Sequence, residues 1–213
     1  MAFLKGPGFI ITWAISIVIG LAVLITDLMT RNRQIAPIMK LVWVLTVSYS
    51  GLMGLGIYFW SGRRQIARDT LWRRGARSVS HCFAGCGAGE IVGVVISVGL
   101  LSLGQVWLSV VTFVLAYVLG IAFNAGPLLS DGEDLSTALK DSVITESASI
   151  LMMETVAIGV DQLIAGSVNT LTKPLFWSSL FISLSAGLLF AYPVNVWLVK
   201  AGVKKGMAHP TFA

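Results

Sequence analysis

Apolar runs of about 20 residues dominate the hydrophobic pattern of this chain, and short polar connections separate them. A helix of that length matches the hydrocarbon thickness of a bilayer. The runs predict six spans, at about 8–29, 39–60, 81–103, 105–124, 143–164 and 175–199. Each is predicted to be helical because backbone polar groups must pair within the segment in lipid. The pattern therefore predicts an all-α polytopic transmembrane bundle, with residues 1–213 forming a single domain.

Composition supports a membrane protein. Apolar residues make up 56% of the chain and charged residues 12%, whereas a soluble domain carries about 25% charged residues. The first run, from Phe9 to Leu28, exceeds the roughly 7–15 apolar residues of a signal-peptide core. We expect a multi-pass protein of the inner (cytoplasmic) membrane, with the lipid bilayer as its main partner. The sequence does not decide between a membrane-protein partner and a homo-oligomer. Nucleic acid is not an expected partner, because the basic residues flank the spans, where they orient a membrane protein.

The basic residues orient the predicted spans. Residues 61–80 contain six arginines, and placing them in the cytoplasm puts both termini there as well. Eleven basic residues then lie inside, namely Lys5, Arg63, Arg64, Arg68, Arg73, Arg74, Arg77, Lys140, Lys200, Lys204 and Lys205. Four lie outside, namely Arg31, Arg33, Lys40 and Lys173. This distribution predicts an N-in, C-in bundle. Residues 64–77 are also predicted to form an interfacial amphipathic helix, with Leu71 and Trp72 toward lipid.

Residues 81–90, HCFAGCGAGE, hold both cysteines of the chain and one of its two histidines. On a helix Cys82, Cys86 and Glu90 share one face, because residues four apart are neighbours. Thiolates suit Cu(I) and also Zn(II), and His81 joins them only where the helix begins or a loop brings it round. Helical cysteines four apart have parallel side chains, which makes them poor disulfide partners. The spacing favours metal ligation over a disulfide, and we expect the cysteine face to lie at the cytoplasmic end of the third predicted helix and to point inward.

Helix packing offers a competing interpretation of the same stretch. Gly85, Gly89 and Gly93 recur every four residues, which is the pattern of a seam where two membrane helices approach closely. Cysteine is small and often buried, so the two thiols fit such a seam as well as a metal site.

Ionisable residues inside spans indicate functional sites, because burying them in lipid is unfavourable unless they are partnered. Glu90 and Glu154 are two of these, and we expect them to relay protons or to neutralise a cation. Met153, which shares a helix face with Glu146 and Ser149, offers a thioether ligand, although methionine is also ordinary core filling. The candidate metal residues are His81, Cys82, Cys86, Glu90, Met153 and Glu154.

The sequence lacks the residues required to bind haem or a nucleotide, or to carry out nucleophilic catalysis. Neither haem nor a nucleotide is expected, because His209 lies in the C-terminal tail and no phosphate-binding loop occurs. No nucleophile–base set suggests itself, so no catalytic residue is assigned. The cofactor that the predicted thiol site suits is a soft metal ion such as copper.

The stretches HCFAGCGAGEIVG and AYPVNVWLVKAGVKKGM resemble the bacterial membrane family catalogued as "domain of unknown function 4396", over roughly residues 75–208. The resemblance places seven residues in the family pattern, namely His81, Cys82, Cys86, Glu90, Tyr192, Pro193 and Asn195. It implies an inner-membrane protein associated with copper and other metal handling. It assigns no activity.

Three functions follow as hypotheses. The first is binding or transport of a soft metal ion, most simply Cu(I), through the Cys/His/Glu site. The second is a non-catalytic structural or assembly subunit of a larger membrane complex, in which cysteine and glycine serve packing. The third is thiol redox chemistry, which requires residues 81–86 to unwind.

Overall fold

The computed structural model describes residues 2–130, 132–166 and 170–204. Helix accounts for 83% of the described residues, which contain no strand, and this confirms the predicted all-α class. Lys205 and His209 lie outside the described residues. The helices are α1 Ala2–Lys5, α2 Pro7–Thr30, α3 Pro37–Ser50, α4 Leu52–Ile57, α5 Leu71–Val94, α6 Gln105–Ser130, α7 Leu135–Ile164 and α8 Pro174–Lys200. Two π-helical segments follow α4 and α5, Tyr58–Gly62 and Val95–Leu100.

Five of these helices are long and apolar enough to cross a membrane. They are Pro7–Thr30, Leu71–Leu100, Gln105–Leu129, Leu135–Ile164 and Pro174–Lys200. They correspond to the first, third, fourth, fifth and sixth predicted spans. Most of α2 faces outward, whereas α5 and α8 are the most buried. The bundle interior is therefore formed mainly by α5, α8 and the face of α7 that packs against them.

The second predicted span, 39–60, is not one continuous helix. Gly51 has a φ of 57°, a left-handed conformation that favours glycine and ends α3. The chain reverses there, and Tyr58 on the returning segment packs its ring against Trp43 of α3, with centroids 5.3 Å apart. A Cβ at Gly51 would also collide with Ser16 of α2. The prediction that this run crosses the membrane was wrong, because the backbone conformation at Gly51 divides the run into a helical hairpin.

Both ends of the hairpin lie at the same end of the bundle. Asp27, near the end of α2, accepts hydrogen bonds from Tyr58 and Asn32 at 2.7 Å each. Its other carboxylate oxygen lies 2.7 Å from the Arg63 guanidinium, and the Arg64 backbone N–H donates to Asn32. Residues 31–36 and 63–70 are therefore adjacent. We call this end of the bundle the arginine end.

Helix α5 begins at Leu71 and draws part of the arginine connection into the bundle. The Thr70 hydroxyl caps it by accepting from the Arg73 N–H. Arg77 is buried because it pairs with Asp69 at 2.8 Å and donates to the Ser61 carbonyl at 2.9 Å. The predicted interfacial helix over 64–77 was therefore wrong. Its first part is irregular, and its second part is the start of a spanning helix.

The glycine seam predicted on α5 joins α5 to α6. A Cβ at Gly89 would lie 2.5 Å from the Ala116 backbone, and one at Gly85 would lie 2.9 Å from Gly120 Cα. A Cβ at Gly93 would lie 2.8 Å from Thr112 Cα. The two backbones pack this closely because hydrogen atoms replace side chains at the contact.

Candidate functional site: a buried thiol pair

Cys82 and Cys86 lie side by side near the midpoint of the helical segment 71–100. Their Sγ atoms are 3.9 Å apart, and both thiols are free and buried. The prediction that they face inward is confirmed. The prediction that they lie at the end of a helix was wrong, because α5 starts ten residues before the predicted span. We call these residues the thiol pair.

The two cysteines contact different helices. The Ser149 hydroxyl of α7 donates to Cys82 Sγ at 3.6 Å. Cys86 Sγ lies 3.0 Å from the position that a Cβ on Gly120 of α6 would occupy. Packing and ligation are therefore compatible: glycines bring α6 close, and the thiols lie between α6 and α7.

Two buried carboxyl groups continue from the thiol pair toward the opposite end of the bundle. Because Ser149 lies beside Cys82 and α5 and α7 run parallel, Glu154 falls at the depth between Cys86 and Glu90. Glu154 is 1% exposed, and neither of its oxygens has a hydrogen-bond partner within the described residues. Glu154 interacts electrostatically with both Glu90 and Cys82. A carboxyl group buried in this way is unfavourable unless something compensates it.

His81 and Met153 are also buried, but their placement differs. The His81 ring meets Phe123 of α6 edge-on, with centroids 6.3 Å apart, and neither ring nitrogen has a partner among the described residues. Met153 belongs to the same apolar cluster as the thiol pair, and its side chain contacts Gly187 of α8. Within the described parts of the chain, no three His, Cys, Asp or Glu side chains form a group that could hold a metal ion.

A line of hydrogen bonds joins the thiol pair to the arginine end. Lys204 Nζ donates to Glu146 Oε2 and to Asn195 Oδ1, each at 2.7 Å. Asn195 Nδ2 donates to Ser149 Oγ at 2.5 Å, and Ser149 reaches Cys82. The line therefore runs from an ion pair to a thiol through one amide and one hydroxyl.

Sequence reasoning did not predict this line. Asn195 belongs to the family pattern and Lys204 to the basic residues that orient the spans, and nothing in the sequence linked the two. The pairing of Lys204 with Glu146 joins residues 58 positions apart. The one available signal was that Glu146 shares a helix face with Ser149 and Met153.

A cavity of about 320 Å³ lies beside the Lys204–Glu146 ion pair. Its lining includes three carboxylates, Glu133, Asp141 and Glu146, together with Lys204 and Ser78. Ser78 donates to Asn195 at 3.1 Å. The cavity therefore adjoins the first members of the line that leads to Cys82. We call it the acidic cavity.

These features define a helical membrane protein with a thiol pair in its interior and a buried carboxyl group, Glu154, that has no hydrogen-bond partner among the described residues. The chain belongs to the family described as Domain of unknown function (DUF4396), which it matches over residues 71–204. That range takes in the thiol pair, both buried glutamates and Lys204, and it leaves out α2 and the helical hairpin. No curated protein and no solved structure matches the chain significantly.

Proposed function

We propose that this protein binds a soft monovalent cation, Cu(I), at the thiol pair and passes it through the bundle interior. The observation that carries the proposal is the buried pair of sulfur atoms 3.9 Å apart on an intact helix. Thiolates are the preferred ligands of Cu(I). Buried carboxyl groups in a membrane helix mark ion or proton pathways by default.

The donor set favours Cu(I) over Zn(II). Protein zinc sites use three or four His, Cys or carboxylate ligands, and no such group forms among the residues that the structure describes. Two sulfur ligands are enough for Cu(I), which accepts linear coordination. Met153 is the proposed additional sulfur ligand, because it belongs to the same buried cluster as the thiol pair. His81, Glu90 and Glu154 remain proposed members of the pathway rather than direct ligands.

We also propose an orientation, with the arginine end in the cytoplasm of an inner-membrane protein. Twelve described basic residues lie at that end, namely Arg31, Arg33, Lys40, Arg63, Arg64, Arg68, Arg73, Arg74, Arg77, Lys140, Lys200 and Lys204. Lys5 and Lys173 lie at the other end. This asymmetry exceeds the eleven-to-four division that six spans would give, which supports five crossings and a hairpin that enters and leaves on the cytoplasmic side. The start of α2 is then outside, in place of the predicted N-in arrangement.

The two alternatives receive less support. Thiol redox chemistry requires the sulfur atoms to approach to about 2.05 Å, yet Cys82 and Cys86 lie within the unbroken helix Leu71–Val94. A purely structural role explains the glycine seam. It leaves unexplained why Glu154, buried beside a thiol, has no described partner.

Metal content tests the function directly. The protein is purified in detergent under anaerobic, reducing conditions, loaded with Cu(I) and freed of excess metal, alongside Cys82→Ser, Cys86→Ser and the double variant. We expect about one copper per wild-type chain and none in the double variant, because both thiolates contribute. Equal copper in the wild type and the double variant would refute the proposal, provided that both elute as the same folded species.

A further inference from the structure

Lys204 is the most unusual buried group that the metal proposal does not use. Its side chain is 5% exposed, although lysine is almost never fully buried unless it is paired. Backbone geometry directs it inward: Gly202, with a φ of 75°, ends α8, and the Lys204 N–H returns to the Leu198 carbonyl at 3.2 Å. A left-handed glycine followed by such a bond is a common helix terminus. The turn places the ammonium group against α7.

The ammonium group occupies a site built from oxygen atoms. Glu146 Oε2 and Asn195 Oδ1 both accept from Nζ at 2.7 Å. These two acceptors lie between the acidic cavity on one side and the Ser149–Cys82 hydrogen bond on the other. A cation that enters the cavity meets the Lys204 charge before it meets a thiol.

We propose that Lys204 is a tethered cation that closes the passage between the acidic cavity and the thiol pair. An incoming cation reaches Cys82 from the arginine end only when the ammonium group leaves Glu146 and Asn195. The acidic cavity attracts cations through its carboxylates, and the lysine holds the inner acceptors until a cation competes for them. The proposal rests on the proposed function for the identity of the cargo, although the closure can be tested without any metal.

The experiment measures how fast Cys82 and Cys86 react with methanethiosulfonate reagents added to the purified protein in detergent. One reagent carries an ammonium group and the other a sulfonate. A thiolate attacks the reagent to form a mixed disulfide and releases methanesulfinate, so mass spectrometry counts the modified chains. The variants are Lys204→Met and the double variant Lys204→Met/Glu146→Gln, which avoids leaving the Glu146 carboxylate buried without its cation. Lys200→Met is the matched control, because it removes an exposed lysine from the same segment.

We expect both Lys204 variants to react about tenfold faster than the wild type with the cationic reagent, as the accessible fraction of thiols rises. The ratio of cationic to anionic rates should rise in Lys204→Met, which keeps Glu146, and less so in the double variant. Lys200→Met should match the wild type. The proposal is overturned if the folded double variant reacts at the wild-type rate. It is also overturned if Lys204→Met accelerates both reagents equally while its unfolding temperature falls, since that describes general loosening.

The two proposals fail independently. Unchanged thiol reactivity with full copper binding would remove the closure and leave the metal site. Faster reactivity in the Lys204 variants without copper binding in the wild type would leave a gated cavity that serves another cation.

Discussion

Replacing Gly89 by alanine tests how closely α5 and α6 must approach to form the interior of this protein. The new Cβ would lie 2.5 Å from both Cα and N of Ala116, and would also collide with the Leu115 carbonyl oxygen. Non-bonded carbon atoms prefer separations of about 3.5–4.0 Å. The obstructing atoms are backbone, so no side-chain rotation relieves the collision. The helices must separate locally by about 1 Å.

The expected effect combines two opposing contributions. Overpacking a well-packed interface costs up to about 3 kcal/mol, and alanine gains at most about 1 kcal/mol over glycine in helix propensity. We therefore expect the Gly89→Ala variant to lose about 2 kcal/mol of stability. For a protein of this size that loss corresponds to an unfolding temperature lower by about 4–8 °C.

The two buried cysteines provide the assay. Heating the protein in detergent with a fluorogenic maleimide reports unfolding, because Cys82 and Cys86 are its only thiols and both are buried. The matched control is Gly159→Ala on α7, where a Cβ meets nothing within 4 Å. That variant should unfold at or slightly above the wild-type temperature. If Gly89→Ala unfolds with the wild type, the close approach of α5 and α6 is not required and the seam argument fails.

Three further predictions concern the hairpin, the orientation and the metal. Asp27→Asn should lower stability by about 2–3 kcal/mol, because charged hydrogen bonds are weakened at a buried site; thermal unfolding in the same assay checks this, and an unchanged midpoint would argue against the hairpin anchor. In a background without native cysteines, Gln34→Cys and Arg68→Cys should both react with an impermeant maleimide from the cytoplasmic side, since the hairpin returns to the end it left. Labelling from opposite sides would restore a sixth crossing. Met153→Leu should weaken Cu(I) retention severalfold if its buried thioether assists the thiol pair, whereas Met152→Leu, at an adjacent position that is 40% exposed, should not; equal retention in the two variants would exclude the thioether.

Local patterns made much of the fold predictable. Helical hydrogen bonds form within each segment, so apolar length alone identified the five helices that can cross a membrane. The four-residue spacing of Cys82, Cys86 and the seam glycines also follows from helix geometry. For the same reason the sequence predicted that the two thiols lie together and face inward.

The sequence did not reveal features that depend on distant partners. An apolar run of span length has the same composition whether it crosses the bilayer or turns back. In the folded chain the run reverses at Gly51, and the Asp27–Arg63 contact, 36 residues apart, holds its returning end against α2. Arg77 could enter α5 because Asp69 and the Ser61 carbonyl receive its charge. These contacts extended α5 and moved the thiol pair from a predicted helix end to the middle of the bundle.

The line from Lys204 to Cys82 shows the same division most clearly. Each residue of this line is an ordinary polar residue when considered alone. A lysine near the end of a helix is normally predicted to be exposed to solvent. Only the antiparallel packing of α7 and α8 brings Glu146 to Lys204 and Ser149 to Asn195. The sequence by itself determined the helices and the thiol spacing because both follow from local geometry. Tertiary structure decided which polar groups share the interior, because a buried charge is stable only beside a partner that folding brings to it.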